Sequence, residues 1–220
     1  CVRASDGKLV WKVDTAATFG VVQNFFGVGS TPVVEGDLLL VQVGGSPPGS
    51  DRVPFDEIKS NGSAIVAFDK RTGKVRFKVG EELASYASPT VRTINKRREL
   101  LLFARGGLLG IDPATGKVNF HYPWRAKILE SVNASNPVVV GNKIFLTECY
   151  EIGSALLERT TTGVKEVWTD REKPGRSRSM MGHWMTPIAV DGYLYGSSGR
   201  HTNEAELRCI ELATGKVMWR

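Results

Sequence analysis

A short segment centred on a glycine recurs along this chain, and that recurrence limits the fold more than any other feature of the sequence. It reads Ser5-Asp6-Gly7-Lys8-Leu9-Val10-Trp11, Arg71-Thr72-Gly73-Lys74-Val75-Arg76-Phe77, Ala114-Thr115-Gly116-Lys117-Val118-Asn119-Phe120 and Ala213-Thr214-Gly215-Lys216-Val217-Met218-Trp219. A looser copy, Thr161-Thr162-Gly163-Val164-Lys165-Glu166-Val167-Trp168, carries one extra residue before its aromatic. Successive glycines lie 66, 43, 47 and 52 residues apart, near the roughly 40–50 residues of a four-stranded propeller blade. A second element alternates with the first: Ser30-Thr31-Pro32-Val33, Ser88-Pro89-Thr90-Val91, Ser135-Asn136-Pro137-Val138 and Met185-Thr186-Pro187-Ile188. Between each proline and the next marker glycine lie 41, 27, 26 and 28 positions, and the long first interval contains the Gly-, Pro-, Ser- and Asp-rich stretch 44–62. Core spacing is kept while loops vary.

The runs between these elements are short and apolar or alternating, and Gly-Asp, Gly-Asn, Asp-Gly and Thr-Gly-Lys separate them. Gly and Asn tolerate the positive φ of tight turns, so the pattern predicts hairpins and four antiparallel strands per unit. For the last unit the strands are expected at about 186–190, 193–197, 205–212 and 216–220, with no helix of useful length anywhere. Proline suits the first residue of such a strand, where its missing N–H removes no ladder bond. The aromatic after each marker glycine, at Trp11, Phe77, Phe120 and Trp219, is expected to pack between neighbouring sheets. A hydrophobic content of 41% suits a folded domain, and no stretch reaches the roughly 18 apolar residues of a membrane-spanning helix. Lys plus Arg number 29 against 23 Asp plus Glu, a net +6. These charges are scattered, so nucleic acid is not an expected partner. Three cysteines, Cys1, Cys149 and Cys209, cannot build a multi-disulfide framework.

In Asp69…Thr72-Gly73, Asp112…Thr115-Gly116 and Thr214-Gly215…Trp219, the units resemble the pyrroloquinoline-quinone-like (PQQ-like) propeller repeat, whose typical unit is Asp-x-x-Thr-Gly-x-x-x-Trp. Arg3, Arg159 and Glu211 stand where the Asp would be, and Phe replaces Trp at two turns. The resemblance spans nearly the whole chain. It implies an all-β fold, a β-propeller of four-stranded antiparallel blades. Here that means about four blades (30–79, 87–122, 135–169, 185–220) plus a leading half blade (1–13) of a larger, seven- or eight-bladed ring. Cys1 to Lys12 matches Cys209 to Arg220 in one register, so the remaining blades of the same ring are an expected partner. The superfamily includes quinoprotein alcohol dehydrogenases and the non-enzymatic propeller lipoprotein of outer-membrane protein assembly. The units are also similar to multi-repeat propellers of environmental bacteria. A periplasmic or cell-envelope location follows from the resemblance, and a Cys rather than Met at residue 1 is compatible with an export signal removed upstream.

In such a blade the tight turns share one face and the longer connections the other, so the longer loops are the functional candidates. They collect Gln23, Asn24, Phe25 and Phe26; Tyr86; Trp124 and Arg125; Asn133; Glu148 and Tyr150; Arg178, His183 and Trp184; Arg200 and His201. The binding candidates are Asn24, Trp124, Arg125, Asn133, Glu148, Arg178, His183, Trp184, Arg200 and His201: arginines for anionic groups, aromatics for stacking. The competing reading is that most of them are solvated loop residues or inter-blade packing. The run 170–178 has a basic balance and suits a carboxylate, phosphate or acidic polysaccharide better than DNA.

No catalytic residue and no metal site is expected. His121, His183 and His201 lack zinc-ligand spacing, and Glu148 with Glu151 lacks the glycine-punctuated loop of a calcium site. No nucleophile elbow or phosphate loop is present. The sequence therefore favours a non-catalytic binding or scaffold propeller with an envelope protein or glycan partner. The alternative is a PQQ-dependent oxidoreductase acting on alcohols or sugars, which would bring PQQ and calcium, with Trp184 as the quinone floor and Glu148 as a calcium ligand by analogy. Trp184, Glu148 and Asn133 converging on one deep funnel would favour that alternative.

Overall fold

The computed structural model describes residues 1–220 except 23–25 and 28. Its sixteen strands form four sheets of four, each a plain antiparallel meander. The first blade contains β1 (Val33–Glu35), β2 (Leu38–Gln42), β3 (Ile65–Asp69) and β4 (Val75–Val79); the second contains β5 (Thr90–Ile94), β6 (Arg97–Phe103), β7 (Gly107–Ile111) and β8 (Val118–Pro123). The third contains β9 (Val138–Val140), β10 (Lys143–Glu148), β11 (Gly153–Arg159) and β12 (Val164–Thr169); the fourth contains β13 (Ile188–Val190), β14 (Tyr193–Ser198), β15 (Glu206–Glu211) and β16 (Val217–Trp219). The architecture is a β-propeller of four blades, a partial ring. A hairpin in which Val2 pairs with Leu9 precedes the first blade. The expectation of no useful helix meets one short exception, α1 (Thr15–Phe19), capped by the Asp14 carboxylate and by Gly20 at φ 68°.

Local turn chemistry builds each sheet. All four first hairpins close through two residues: Gly36-Asp37, Asn95-Lys96, Gly141-Asn142 and Asp191-Gly192. Each carries positive φ at its first residue or at both, as the twist of a tight hairpin demands. The outer turns repeat a second pattern. Asp69 Oδ1 accepts the amides of Arg71 and Thr72 at 3.0 Å each, and Asp112 Oδ1 accepts those of Ala114 and Thr115 at 2.9 and 3.1 Å. Gly73 and Gly116 then turn the chain at φ 71° and 76°.

Immediately after that turn the register between the third and fourth strands slips in every blade, at Ala67/Phe68, Gly110/Ile111, Leu156/Leu157 and Cys209/Ile210. This bulge places the aromatic, which docks on the glycine turn of the next blade as the sequence predicts. A Cβ on Gly73 would stand 2.6 Å from the Trp11 ring, and one on Gly116 would stand 2.7 Å from Phe77. Two indole N–H groups add a bond: Trp11 Nε1 donates to the Lys70 carbonyl at 3.1 Å and Trp168 Nε1 to that of Leu212 at 2.9 Å. Gly163 differs from the other markers. Its φ is not positive, and the nearest atom to a Cβ there is 3.9 Å away.

The core lies between sheets. Neighbours cover both faces of the middle blades, so their inner strands read as unbroken apolar runs, and alternation then divides each run. Leu100 and Leu102 face the first blade's Leu40, Ile65 and Ala67, whereas Leu101 and Phe103 face the third blade's Ile144, Leu146 and Leu157. Phe145 and Leu156 in turn meet Leu194 and Ile210 of the fourth.

The second sequence element has a job beyond strand entry. Thr31 N–H donates to Ser88 Oγ at 2.8 Å, Ser88 N–H to Asn136 Oδ1 at 2.7 Å and Asn136 N–H to Thr186 Oγ1 at 3.1 Å. One hydrogen bond thus links each inner strand to the next, carried by the Ser, Thr or Asn before each proline.

Candidate functional site

The β2–β3-type loops and the blade-to-blade connections share one face, and three groups of side chains meet there. An aromatic group is formed by Trp184, 46% exposed, with Tyr86 at 4.8 Å, Phe26 at 5.5 Å and His183 at 5.6 Å between ring centroids. Tyr86 Oη accepts the Phe26 amide at 2.8 Å, tying the connection before the first blade to the one after it. His183 Nε2 lies 3.1 Å from Tyr150 Oη, and the Arg200 guanidinium sits over the Tyr150 ring at 4.9 Å. Burial, then the positive charge of Arg200 and His201, pushes His183 down to about 4. His183 is therefore neutral at pH 7, and one imidazole nitrogen can accept a hydrogen bond there.

Beside this group a cleft of about 970 Å3 opens between the third and fourth blades, with Arg176, Arg178, Arg200, His201, Glu151 and Glu204 on its walls. Its floor is fixed. Arg208, 2% exposed, pairs with Glu206 and donates to the carbonyls of Arg178 and Ser179 at 2.6 and 3.1 Å. Buried Asp170 anchors the basic run 170–178 by accepting the amides of Ser154 and Ser179 at 3.1 and 2.7 Å. A second, smaller cleft includes Arg105 and Arg125.

Several other sequence candidates are buried. Asn133, 0% exposed, donates Nδ2 to the carbonyls of Ala104 and Trp124 at 2.7 and 3.0 Å, while its own carbonyl accepts the amides of Tyr86 and Ala87. Trp124, also 0% exposed, belongs to the core between the second and third blades, against Tyr122 and beneath Arg171. Glu148 closes β10 with 1% of its surface exposed. Its Oε2 accepts the Tyr150 amide, the Ile152 amide helps it, and burial pushes its pKa up to about 8. Burial likewise pushes the Cys149 thiol up to about 12. The structure therefore brings His183, Trp184, Arg178, Arg200 and His201 together and sets Asn133 and Trp124 in the core. Asn24 lies outside the described residues. Sequence reasoning passed over Arg105, whose Arg-Gly-Gly turn reads as an ordinary hairpin end, and the pair between Glu82 Oε1 and His121 Nε2 at 2.8 Å.

Among the described residues no three His, Cys, Asp or Glu side chains form a cation site. Glu148, the calcium ligand of the alternative reading, accepts the Tyr150 amide of its own turn through Oε2 and leaves Oε1 without a partner.

A family model described as "Outer membrane protein assembly factor BamB" matches residues 1–220. The chain belongs to this family. No curated protein matches the BamB-family chain. Among solved structures it is similar to the quinohemoprotein alcohol dehydrogenase ADHIIG from Pseudomonas putida HK5, at 16% identity over 88% of this chain and 34% of that one, with a TM-score of 0.53. A europium-containing methanol dehydrogenase is similar at 12% identity over 88% and 41%, also at 0.53. BamB from Moraxella catarrhalis matches at 16% identity over 87% and 51%, at 0.48. At these identities the likeness is one of fold. The chain spans about a third to a half of the length of these proteins.

Proposed function

We propose that this BamB-family chain is a non-catalytic propeller module of the bacterial periplasm or cell envelope, binding a protein or glycan partner through its loop face. One observation supports this reading above the others: the loop face separates into groups that hold the fold and groups that do not. The buried polar side chains that a quinoprotein reading would use, Asn133 and Glu148, each spend one polar atom on nearby backbone, Nδ2 on the Ala104 and Trp124 carbonyls and Oε2 on the Tyr150 amide, and keep the remaining oxygen buried. What stays open is a half-exposed indole in an aromatic group, next to an arginine-walled cleft. Such a surface has stacking area and cationic donors, which suits binding a partner. The family's description makes a component of outer-membrane protein assembly the first partner class to examine. Apolar side chains also stand exposed on the fourth blade, Ile188 at 67% and Leu207 at 60%, and further blades of a larger ring would cover them.

The test is site-specific photo-crosslinking in the full-length protein within intact envelopes, with the probe at Trp184 or His201 on the loop face and at Lys74 or Asp112 on the tight-turn face. A discrete adduct identified by mass spectrometry, formed only from the loop face, is the expected result. In parallel the protein is titrated calorimetrically with PQQ in calcium and assayed for dye reduction with alcohols and sugars. Saturable PQQ binding with substrate-dependent dye reduction would overturn the binding reading in favour of a PQQ-dependent oxidoreductase.

A further inference from the structure

The smaller cleft, about 390 Å3, takes its walls from four connections: Lys59 and Ser60 before β3, Glu81 and Glu82 before β5, Arg105 between β6 and β7, and Arg125 after β8. Arg105 is 4% exposed and stacks its guanidinium 3.8 Å from the centre of the Phe55 ring. Its guanidinium makes no ion pair and no hydrogen bond among the described residues, and its Nη2 is wholly buried without a partner. Arg125 donates one bond, from Nη2 to the Leu129 carbonyl at 3.3 Å, and has no ion pair among the described residues. Burial and the neighbouring Arg125 charge push Arg105 down to about 10, and burial lowers Arg125 as well.

Asp56 and Glu82 act on both guanidiniums from a distance, but among the described residues no carboxylate forms an ion pair with either. Glu82 is taken by the Gly106 amide at 2.7 Å and by His121 at 2.8 Å. Asp56 and Glu81 line the same cleft without approaching either guanidinium closely enough for an ion pair. A buried cation that lacks a direct ion pair is unfavourable, and one that borders a cleft is suited to receiving that pair from a ligand.

We propose that this cleft binds the carboxylate of a small acid about the size of a hexuronate, with Arg105 and Arg125 as a paired guanidinium clamp. A planar carboxylate matches the guanidinium fork. Asp56 and Glu81 on the same walls disfavour a doubly charged phosphate, and the volume accommodates one six-membered sugar-acid ring. The site goes beyond the partner-binding role above and does not depend on it, because it uses different residues in a different cleft.

Calorimetric titration of the full chain with D-glucuronate, D-glucose, acetate and inorganic phosphate tests it. The expected result is saturable glucuronate binding, weaker acetate binding and no glucose binding. Arg125→Gln, at a half-buried position, is expected to weaken glucuronate at least tenfold. Arg105→Met is expected to abolish binding and raise the melting temperature, because an apolar chain of similar length replaces an unpaired buried charge. Asp56→Asn is expected to tighten binding. Equal binding of glucose, tighter binding of phosphate, an unchanged Arg125→Gln, or a lower melting temperature in Arg105→Met would each overturn the proposal. A lower melting temperature there would mean that the Arg105 charge is already satisfied within the protein.

Discussion

Glu148 makes the pH dependence of this fold calculable. Its carboxyl is 1% exposed, Oε1 has no hydrogen-bond partner, and burial outweighs the Tyr150 and Ile152 amides and the Arg178 charge, raising the pKa from 4.5 to about 8. Between those values the folded chain holds a proton that the unfolded chain has released, so stability falls as pH rises. The slope approaches 1.4 kcal/mol per pH unit and accumulates to about 3–5 kcal/mol by pH 8, where it levels off. Glu148→Gln keeps an acceptor oxygen for the two amides and removes the titration. Urea unfolding of both proteins from pH 5 to pH 9 is expected to give similar stabilities at pH 5, with the variant ahead by about 3 kcal/mol or more at pH 8.5. His183 works in the opposite sense. Its pKa is depressed to about 4, so the unfolded chain binds the extra proton between about 4 and 6.5, and stability rises with pH across that window. That contribution is common to both proteins and cancels in their difference. A difference that stays flat across the range, or wild type gaining on the variant at high pH, would refute the reasoning. It would mean that the ionised carboxylate is stabilised in the fold, with Arg178 the nearest cation to do it.

Three further outcomes are expected. Gly116→Ala forces a side chain into positive φ against the Phe77 ring and is expected to lose about 2–4 kcal/mol, whereas Gly163→Ala, with ordinary φ and open space, stays within about 1 kcal/mol of wild type; thermal melts of the pair decide. Glu99→Gln leaves Arg159, 4% exposed and bound to Glu99 Oε2 at 2.9 Å, without its counter-charge, and is expected to lose about 2–4 kcal/mol in urea unfolding. Asn133→Ala deprives the Ala104 and Trp124 carbonyls of their donor and is expected to lose about 2–4 kcal/mol, with amide exchange accelerated in the connection between the second and third blades.

The blades were legible in the sequence because their signals are local. A glycine at positive φ, an Asp whose carboxylate caps the amides two and three residues on and an aromatic at fixed spacing all act within one turn, so their recurrence reports the repeat directly. Where a turn is made without glycine, as at Asn95-Lys96 with φ 49° and 63°, the composition signal is absent and only the structure shows it. Arg159 is a different case. It occupies the turn-capping position, but its side chain reaches back across the blade interface to Glu99 and over the Phe120 ring, a long-range pairing that spacing cannot reveal. Trp124 and Asn133 were read as binding candidates because a loop residue's type does not say whether it points outward or between sheets.

That ambiguity has a physical basis in how propellers are joined. The connections between blades leave backbone carbonyls and amides outside the sheet ladders, and once buried those groups need partners. Side chains supply them at equivalent places. Gln42 Nε2 donates to the Ser85 and Ala87 carbonyls, Asn61 Nδ2 to those of Phe19 and Ser46, and Thr147 Oγ1 both donates to Met180 and accepts from Gly182. Much of the polarity of the loop face is therefore structural, and a functional candidate is better defined by what this hydrogen-bond accounting leaves over. Arg105 and Arg125 are left without a direct ion pair among the described residues, and Trp184 with a half-exposed ring. Those residues are where a ligand would gain most and where substitution should alter binding before it alters the fold, whereas the unpartnered Oδ1 of Asn133 and Oε1 of Glu148 belong to side chains 0% and 1% exposed.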